Sequence, residues 1–282
     1  MITYMAAAVL ASMSVVQQVD TTFAVPAGSR LDLYNHQGSV TIDTWNRDEI
    51  RIRAEWDEGR RPVTIRSNGS SIRVRVEPRD AGMPEVDFEI TAPRSMSVAM
   101  QGVTLAARVD GLEGNVAVQS VEGPIEVTGG KGNVSLQAVD GSVEVRNADG
   151  KISVHAVEGP VTITDSRGAL NVESVDGDVT LTGIDSDNVS VNVVDGDVSY
   201  AGTIRDDGRY FISTHDGDLS VRLPKGVNAR VSVATFDGDL VSDIPIQLEG
   251  DFSQKRFSFT LGSGRALMEL SSFDGVIRLT EE

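Results

Sequence analysis

Four Asp-Gly-Asp triplets recur in the second half of the sequence and bring carboxylates close together. Such oxygen clusters suit Ca²⁺, because a bound cation relieves the repulsion between like charges. The same aspartates could instead cap turns by accepting hydrogen bonds from backbone N–H groups, and we favour this interpretation. The sequence also lacks the Gly-Gly nonapeptide of calcium-binding rolls. The candidate Ca²⁺ ligands are Asp176, Asp178, Asp195, Asp197, Asp216, Asp218, Asp237 and Asp239.

Catalytic chemistry has little support in the sequence. The three histidines, His36, His155 and His215, lie in no HExxH, GxSxG or SxxK motif, and cysteine is absent. Paired carboxylates could serve a polysaccharide lyase or hydrolase. However, they recur throughout the repeats, whereas an active site should interrupt a repeat. We therefore predict a protein that is not an enzyme and has no cofactor, with a polysaccharide-active β-helix enzyme as the alternative.

A glycine repeat indicates how these side chains are positioned. Each nine-residue unit reads Gly, any residue, apolar, any residue, apolar, and this alternation is typical of strands. Odd and even units differ, so the structural unit is about 18 residues long. Stacked copies of such a unit build one continuous core, so we predict a parallel β-solenoid over residues 99–244. The glycines at nine-residue spacing are Gly114, Gly123, Gly132, Gly141, Gly150, Gly159, Gly168 and Gly177.

The stacking predicts ladders of side chains along the solenoid. In the odd nine-residue units, the outward positions of the strand carry amides and hydroxyls. These side chains could bind a glycan or a protein strand. Polar outward residues are, however, also what any solvated sheet needs. A second column, at the ends of the even units, alternates in charge and would set the register of the coils. The outward set includes Asn115, Gln119, Asn133, Gln137, Lys151, His155, Asn171 and Glu173. The alternating column contains Lys131, Asp149, Arg167 and Asp185.

The flanking regions have a different pattern. Residues 20–98 contain strand-like runs in which arginine or glutamate alternates with apolar residues, which favours antiparallel strands with one solvated face. We predict that they form a cap on the solenoid. Residues 245–282 contain three further strand-like runs and are expected to cap the other end. The predicted fold is therefore all-β, with a parallel β-solenoid and an antiparallel N-terminal cap region.

Charge and the N-terminus restrict the partners and the location. The 282 residues include 42 acids and 25 bases, a formal net charge of −17, and such a surface repels nucleic acid. Residues 1–19 resemble a secretory signal peptide, because an apolar run is followed by the small residues Ala11, Ser12 and Ser14. No later segment approaches a membrane span. We expect an exported protein without a transmembrane segment in its mature chain.

Several segments together resemble one family. These are TFAVPAGSRLDLYNHQGSVTIDTWNRDEIRIRAE at Thr22–Glu55, the repeated VDG and VEG corners, HDGDLSVRLP at His215–Pro224, and LGSGRALMELSSFDGVIRL at Leu261–Leu279. They are similar to the bacterial putative-adhesin β-solenoid family. The resemblance implies a periplasmic or cell-surface protein that adheres to, or scaffolds, an envelope protein or glycan, and it supplies no catalytic residues.

Overall fold

The computed structural model describes residues 17–57, 61–78, 82–247, 249–251 and 255–281. These residues form a 25-stranded β-structure, and the described part of the chain contains no helix. The strands are β1 (Gln17–Ala24), β2 (Arg30–Tyr34), β3 (Gln37–Trp45), β4 (Glu49–Trp56), β5 (Val63–Asn68), β6 (Ser71–Val76), β7 (Val86–Pro93), β8 (Ser97–Gln101), β9 (Thr104–Leu112), β10 (Val116–Glu122), β11 (Ile125–Gly129), β12 (Asn133–Asp140), β13 (Val143–Arg146), β14 (Lys151–Glu158), β15 (Val161–Thr164), β16 (Leu170–Asp176), β17 (Val179–Asp195), β18 (Val198–Asp216), β19 (Leu219–Leu223), β20 (Ala229–Thr235), β21 (Leu240–Ser242), β22 (Glu249–Asp251), β23 (Arg256–Leu261), β24 (Ala266–Asp274) and β25 (Ile277–Glu281).

The strands stack into two parallel series, each with one strand per coil. We call the series through β8, β10, β12, β14 and β16 the front sheet, and the series through β9, β11, β13 and β15 the back sheet. The long strands β17 and β18 bend and contribute to both. The alternating sequence explains this architecture, because the inward residue of every pair enters the shared core and the outward residue meets solvent. The predicted all-β parallel solenoid is confirmed.

The register confirms the 18-residue unit. Val134 pairs with Val116 on one side and with Ile152 on the other, and Ile152 pairs in turn with Leu170. All four side chains are at most 4% exposed. The next step pairs Leu170 with Val189, so this coil is one residue longer. β-Branched and leucine side chains therefore form inward ladders one side chain thick.

The order of the coils departs from the order of the sequence at the N-terminal end. β2 lies between β6 and β8, and β3 lies between β7 and β9, with parallel pairing on both sides. Antiparallel pairing joins β1 to β4, β4 to β7 and β5 to β6. The predicted antiparallel strands therefore surround a coil that belongs to the solenoid. The sequence-based boundaries at residues 98/99 and 244/245 stay predictions.

The C-terminal end has the same kind of insertion. β24 lies between β18 and β20, and β25 lies between β19 and β21. The last strands of the sequence thus occupy an interior coil, and β20 and β21 form the outer one. The antiparallel strands β23 and β22 then cover the edge of β20. Covering an edge in this way limits aggregation through unpaired backbone groups.

The predicted signal peptide falls largely outside the described residues. Residues 1–16, including the small residues proposed for cleavage, are among those outside. Among the described residues, β1 begins at Gln17, so residues 17–19 of the predicted signal peptide belong to this strand. Its residues pair with β4, so a cleavage site that preserves this pairing has to precede Gln17.

Candidate functional site

The second aspartate of three triplets caps the neighbouring coil. Asp178 Oδ1 accepts a hydrogen bond from the backbone N–H of Asp197 at 2.9 Å, and Asp197 Oδ1 accepts one from Asp218 at 2.8 Å. Asp218 Oδ1 in turn accepts from the N–H of Val276 at 2.8 Å. This is the turn-capping role that the sequence allowed, extended from one coil to the next.

The first aspartates form a separate exposed column, which we call the acid column. Its members pair in register along the front sheet, so one carboxylate follows another at every coil. In the sequence the triplet of Asp216 is followed by that of Asp237, but in the structure Asp274 lies between them because β24 is inserted. The acid column consists of Glu122, Asp140, Glu158, Asp176, Asp195, Asp216, Asp274 and Asp237.

The proposed Ca²⁺ ligands are not gathered into a compact cluster. Among the described residues, no group of three or more His, Cys, Asp or Glu side chains is arranged to hold a metal ion. One oxygen of Asp178 and one of Asp197 already bind backbone N–H groups. The calcium assignment therefore stays a prediction from the sequence, and the observed contacts are those of turn caps.

Three members of the alternating column, Asp149, Arg167 and Asp185, stack as the sequence predicted. Arg167 bridges Asp149 on one side and Asp185 on the other through parallel backbone pairing. Lys131 Nζ lies 2.8 Å from a carboxylate oxygen of Glu113, and Arg205 lies 2.7 Å from Asp185. The hydrogen bond from Arg205 holds the pKa of Asp185 below its ordinary value. Because these ion pairs are exposed, they add little to the free energy of folding. Their main effect is on the register of neighbouring coils.

An outward ladder of polar side chains runs along the front sheet. Gln101 donates from Nε2 to Gln119 Oε1 at 3.1 Å, and the positions at Gln137, His155 and Glu173 follow in register. His155 Nδ1 lies 3.1 Å from Glu173 Oε2. The predicted ladder is therefore present, and two of its steps are joined by side-chain hydrogen bonds.

A row of exposed apolar side chains lies beside this ladder, and the sequence interpretation missed it. The valines of the VDG and VEG corners from Val121 to Val194 are 40–51% exposed, and Val103, at the same place one coil earlier, is 37% exposed. The signal was present, since Val121 is two residues beyond outward Gln119 and therefore continues the outward alternation. We call this row the apolar ridge. It consists of Val103, Val121, Val139, Val157, Val175, Val194, His215, Phe273 and Phe236.

Aromatic rings form the C-terminal part of the ridge. His215 stacks on Phe273 with ring centroids 4.6 Å apart, and Phe273 stacks on Phe236 at 4.6 Å with an interplanar angle of 7°. Phe236 is 70% exposed. The ring of His215 thus takes the place of a corner valine within a continuous row.

The strongest comparison with known proteins is with a family model. The model of Toastrack DUF4097 matches residues 29–280. The chain belongs to the Toastrack DUF4097 family. The resemblance found in the sequence is thereby confirmed over almost the whole chain.

Solved structures similar to this Toastrack chain include a putative cell adhesion protein from Clostridium sporogenes, with 11% identity, a TM-score of 0.31, and coverage of 94% of this chain and 100% of that one. A putative adhesin from Bacteroides fragilis has 11% identity, a TM-score of 0.46 and coverage of 93% and 97%. A putative adhesin from Parabacteroides distasonis has 10% identity, a TM-score of 0.34 and coverage of 93% and 97%. None of the curated proteins matches the chain.

The Toastrack solenoid presents its outward features as parallel columns. A shallow groove of ≈ 560 Å³ runs between the polar ladder at Gln119 and Gln137 and the ridge at Val121 and Val139. The acid column follows the ridge one residue further along each strand, and both sets of side chains are exposed. In the part of the chain that the structure describes, no helix is long and apolar enough to span a membrane.

Proposed function

We propose that the protein is an exported, non-enzymatic interaction module of the cell envelope. It binds a protein or glycan of the envelope through the outward faces of its solenoid, in the periplasm or at the cell surface, and so acts in adhesion or as a scaffold. Membership of the Toastrack family over residues 29–280 is consistent with this role. The signal-like sequence of residues 1–19 supports export.

The apolar ridge is the observation that carries the proposal. Soluble monomers seldom expose a long continuous apolar patch unless it contacts something. Each corner valine could have been a polar residue at no cost to the core, because its side chain points outward and the buried ladder lies on the other face. A surface used for binding accounts for the valines and phenylalanines repeated at this position from Val103 to Phe236, a row in which His215 is the one polar residue.

A binding role also accounts for the distribution of the carboxylates better than catalysis does. The acids recur coil after coil, and those at Asp178, Asp197 and Asp218 accept hydrogen bonds from the backbone. A polysaccharide-active enzyme would need a local group of acids set apart from the repeat. No contact among the described residues favours that alternative.

The test is photo-crosslinking in living cells. A photoreactive phenylalanine analogue replaces Val157 on the ridge, and a matched variant carries it at Thr162 on the back sheet. Cell fractionation first establishes where the full chain resides. We expect the protein in the envelope fraction and a crosslinked envelope component at residue 157 that is absent or weaker at residue 162. A cytoplasmic location, or no crosslinked component from either sheet, would overturn the proposed function.

A further inference from the structure

Three columns of different chemistry run side by side along the front sheet. The polar ladder, the apolar ridge and the acid column occupy successive outward and corner positions of the same strands, as at Gln137, Val139 and Asp140. With about 4.8 Å between coils, the ridge from Val103 to Phe236 is about 38 Å long. Any partner that follows it meets apolar side chains along its centre and carboxylates along one side.

The backbone of the front sheet restricts the conformation of that partner. Strands β10, β12, β14 and β16 already pair with a parallel neighbour on each side. They therefore offer no free sheet edge to which an extended chain could add. A partner lying across these strands has to satisfy its own backbone hydrogen bonds. An α-helix does so, and its apolar stripe can follow a straight row of side chains.

The charge beside the ridge restricts the partner's composition. Glu122, Asp140, Glu158, Asp176 and Asp195 are all exposed and follow one another in register. A row of lysines or arginines flanking the partner's apolar stripe would face this column and speed association. An anionic lipid surface would be repelled by it. A second copy of this chain would bring together two molecules of net charge −17.

We infer that the apolar ridge and the acid column together form a docking surface for a cationic amphipathic helix of a partner protein or peptide. The inference rests on the proposed function and names the class of partner and the face that receives it. The corner valines and the stacked rings of Phe273 and Phe236 contact the apolar stripe of the helix. The carboxylates of the acid column face its basic residues.

The test uses a defined probe and the full chain. A labelled synthetic peptide of leucine and lysine, about 18 residues long and therefore about 27 Å as a helix, carries its leucines on one face. Its control has glutamate at every lysine.

Fluorescence anisotropy measures binding to the wild-type protein and to two triple variants. One variant is Val139→Ser, Val157→Ser and Val175→Ser, and the other is Asp140→Asn, Glu158→Gln and Asp176→Asn. Val241→Ser is the matched control, because Val241 is an equally exposed valine outside the ridge.

We expect the lysine peptide to bind and the glutamate peptide not to bind. Each triple variant should weaken binding by about tenfold or more, and Val241→Ser should leave it unchanged. Binding should also weaken between about 50 mM and about 300 mM salt. All substituted side chains are exposed, so circular dichroism should show that the variants remain folded.

Four results would overturn the inference. In the peptide measurements, these are equal binding of both peptides and unchanged binding by either triple variant. The third is a wild-type dimer in sedimentation that the valine variant abolishes. The fourth is binding to vesicles of anionic phospholipid that the valine variant removes. The failure of the proposed function is distinguishable from this. If residue 157 still crosslinks to an envelope component while the lysine peptide fails to bind, the interaction role stands and only the cationic helix is excluded.

Discussion

The ring of Phe236 stacks on the ring of Phe273, with centroids 4.6 Å apart and planes 7° from parallel. The two residues are far apart in the sequence. They become neighbours only because β24 is inserted beside β20. The same insertion places Asp274 between Asp216 and Asp237. The apolar ridge and the acid column therefore both run unbroken to the end of the solenoid.

Removing the Asp197 carboxylate should remove a cap between coils. Asp197→Ala leaves the N–H of Asp218 without its acceptor at 2.8 Å. We expect the free energy of unfolding to fall by about 1 kcal/mol, measured by urea denaturation. Asp197→Asn keeps an oxygen in place and should lose less. Equal losses in both variants would mean that the charge, and not the hydrogen bond, stabilises the corner.

Calcium should not stabilise the protein specifically, because carboxylate oxygens of the triplets already accept backbone hydrogen bonds. We expect the same melting temperature with chelator and with millimolar Ca²⁺ at constant ionic strength. A rise of several degrees that disappears in the Asp195→Asn, Asp197→Asn variant would instead make these corners a metal site.

Gly141 should tolerate no branched side chain. Its φ is +144°, and a Cβ at this position would collide with the carbonyl oxygen of Gly123 in the neighbouring coil. Gly141→Val should therefore cost several kcal/mol of stability, seen as a lower melting temperature. Gly226→Asn is the control, because φ is +73° and nothing lies within 4 Å. A Gly141→Val protein that melts like wild type would refute the corner geometry.

A charge on the inward face should prevent folding. Val154 is fully buried in the ladder between Leu136 and Val172. Val154→Asp would bury an unpaired carboxylate in the core that the two sheets share. We expect no cooperative melting of this variant, whereas Ser153→Asp on the adjacent outward position should remain folded. Circular dichroism distinguishes the two, and a soluble Val154→Asp protein with a sharp transition would contradict the assignment.

The ion pair of Asp185 and Arg205 should make stability depend on pH. The hydrogen bond from Arg205, followed by that from Thr203, lowers the pKa of Asp185 from its ordinary value of 3.8. Because the folded pKa is below the unfolded one, the contribution is complete above pH 3.8 and disappears as the pH falls through the folded value.

The Arg205→Ala variant isolates that contribution. It should melt slightly lower than wild type at pH 7, and the difference should be smaller at about pH 2, because Asp185 loses its charge as the pH falls through its folded pKa. The effect is small because the pair is exposed to solvent. A difference that stays constant between the two pH values would assign it to the packing of the arginine side chain.

Local sequence patterns predicted much of the fold because they report side-chain alternation. The regular spacing of the glycines from Gly114 to Gly177 predicted the length of the unit. The alternating apolar residues predicted the strands that the structure contains. The alternating column around Arg167 was predicted correctly, since in-register stacking follows from a constant repeat. The sequence interpretation missed the exposed ridge because it took the corner valines only as part of the repeat. Val121 lies two residues beyond outward Gln119, so the alternation already predicted that it points outward.

The sequence by itself determined the all-β class, the 18-residue coil and the two-sided strands, because each depends on periodicity within a short stretch. Only the tertiary structure decided the order of the coils at the two ends. Insertion of β2 beside β6 and of β24 beside β20 depends on which distant edges pair best, and no local pattern encodes that choice. The same long-range pairing joins Phe273 and Phe236 to the valine corners and so completes the proposed docking surface.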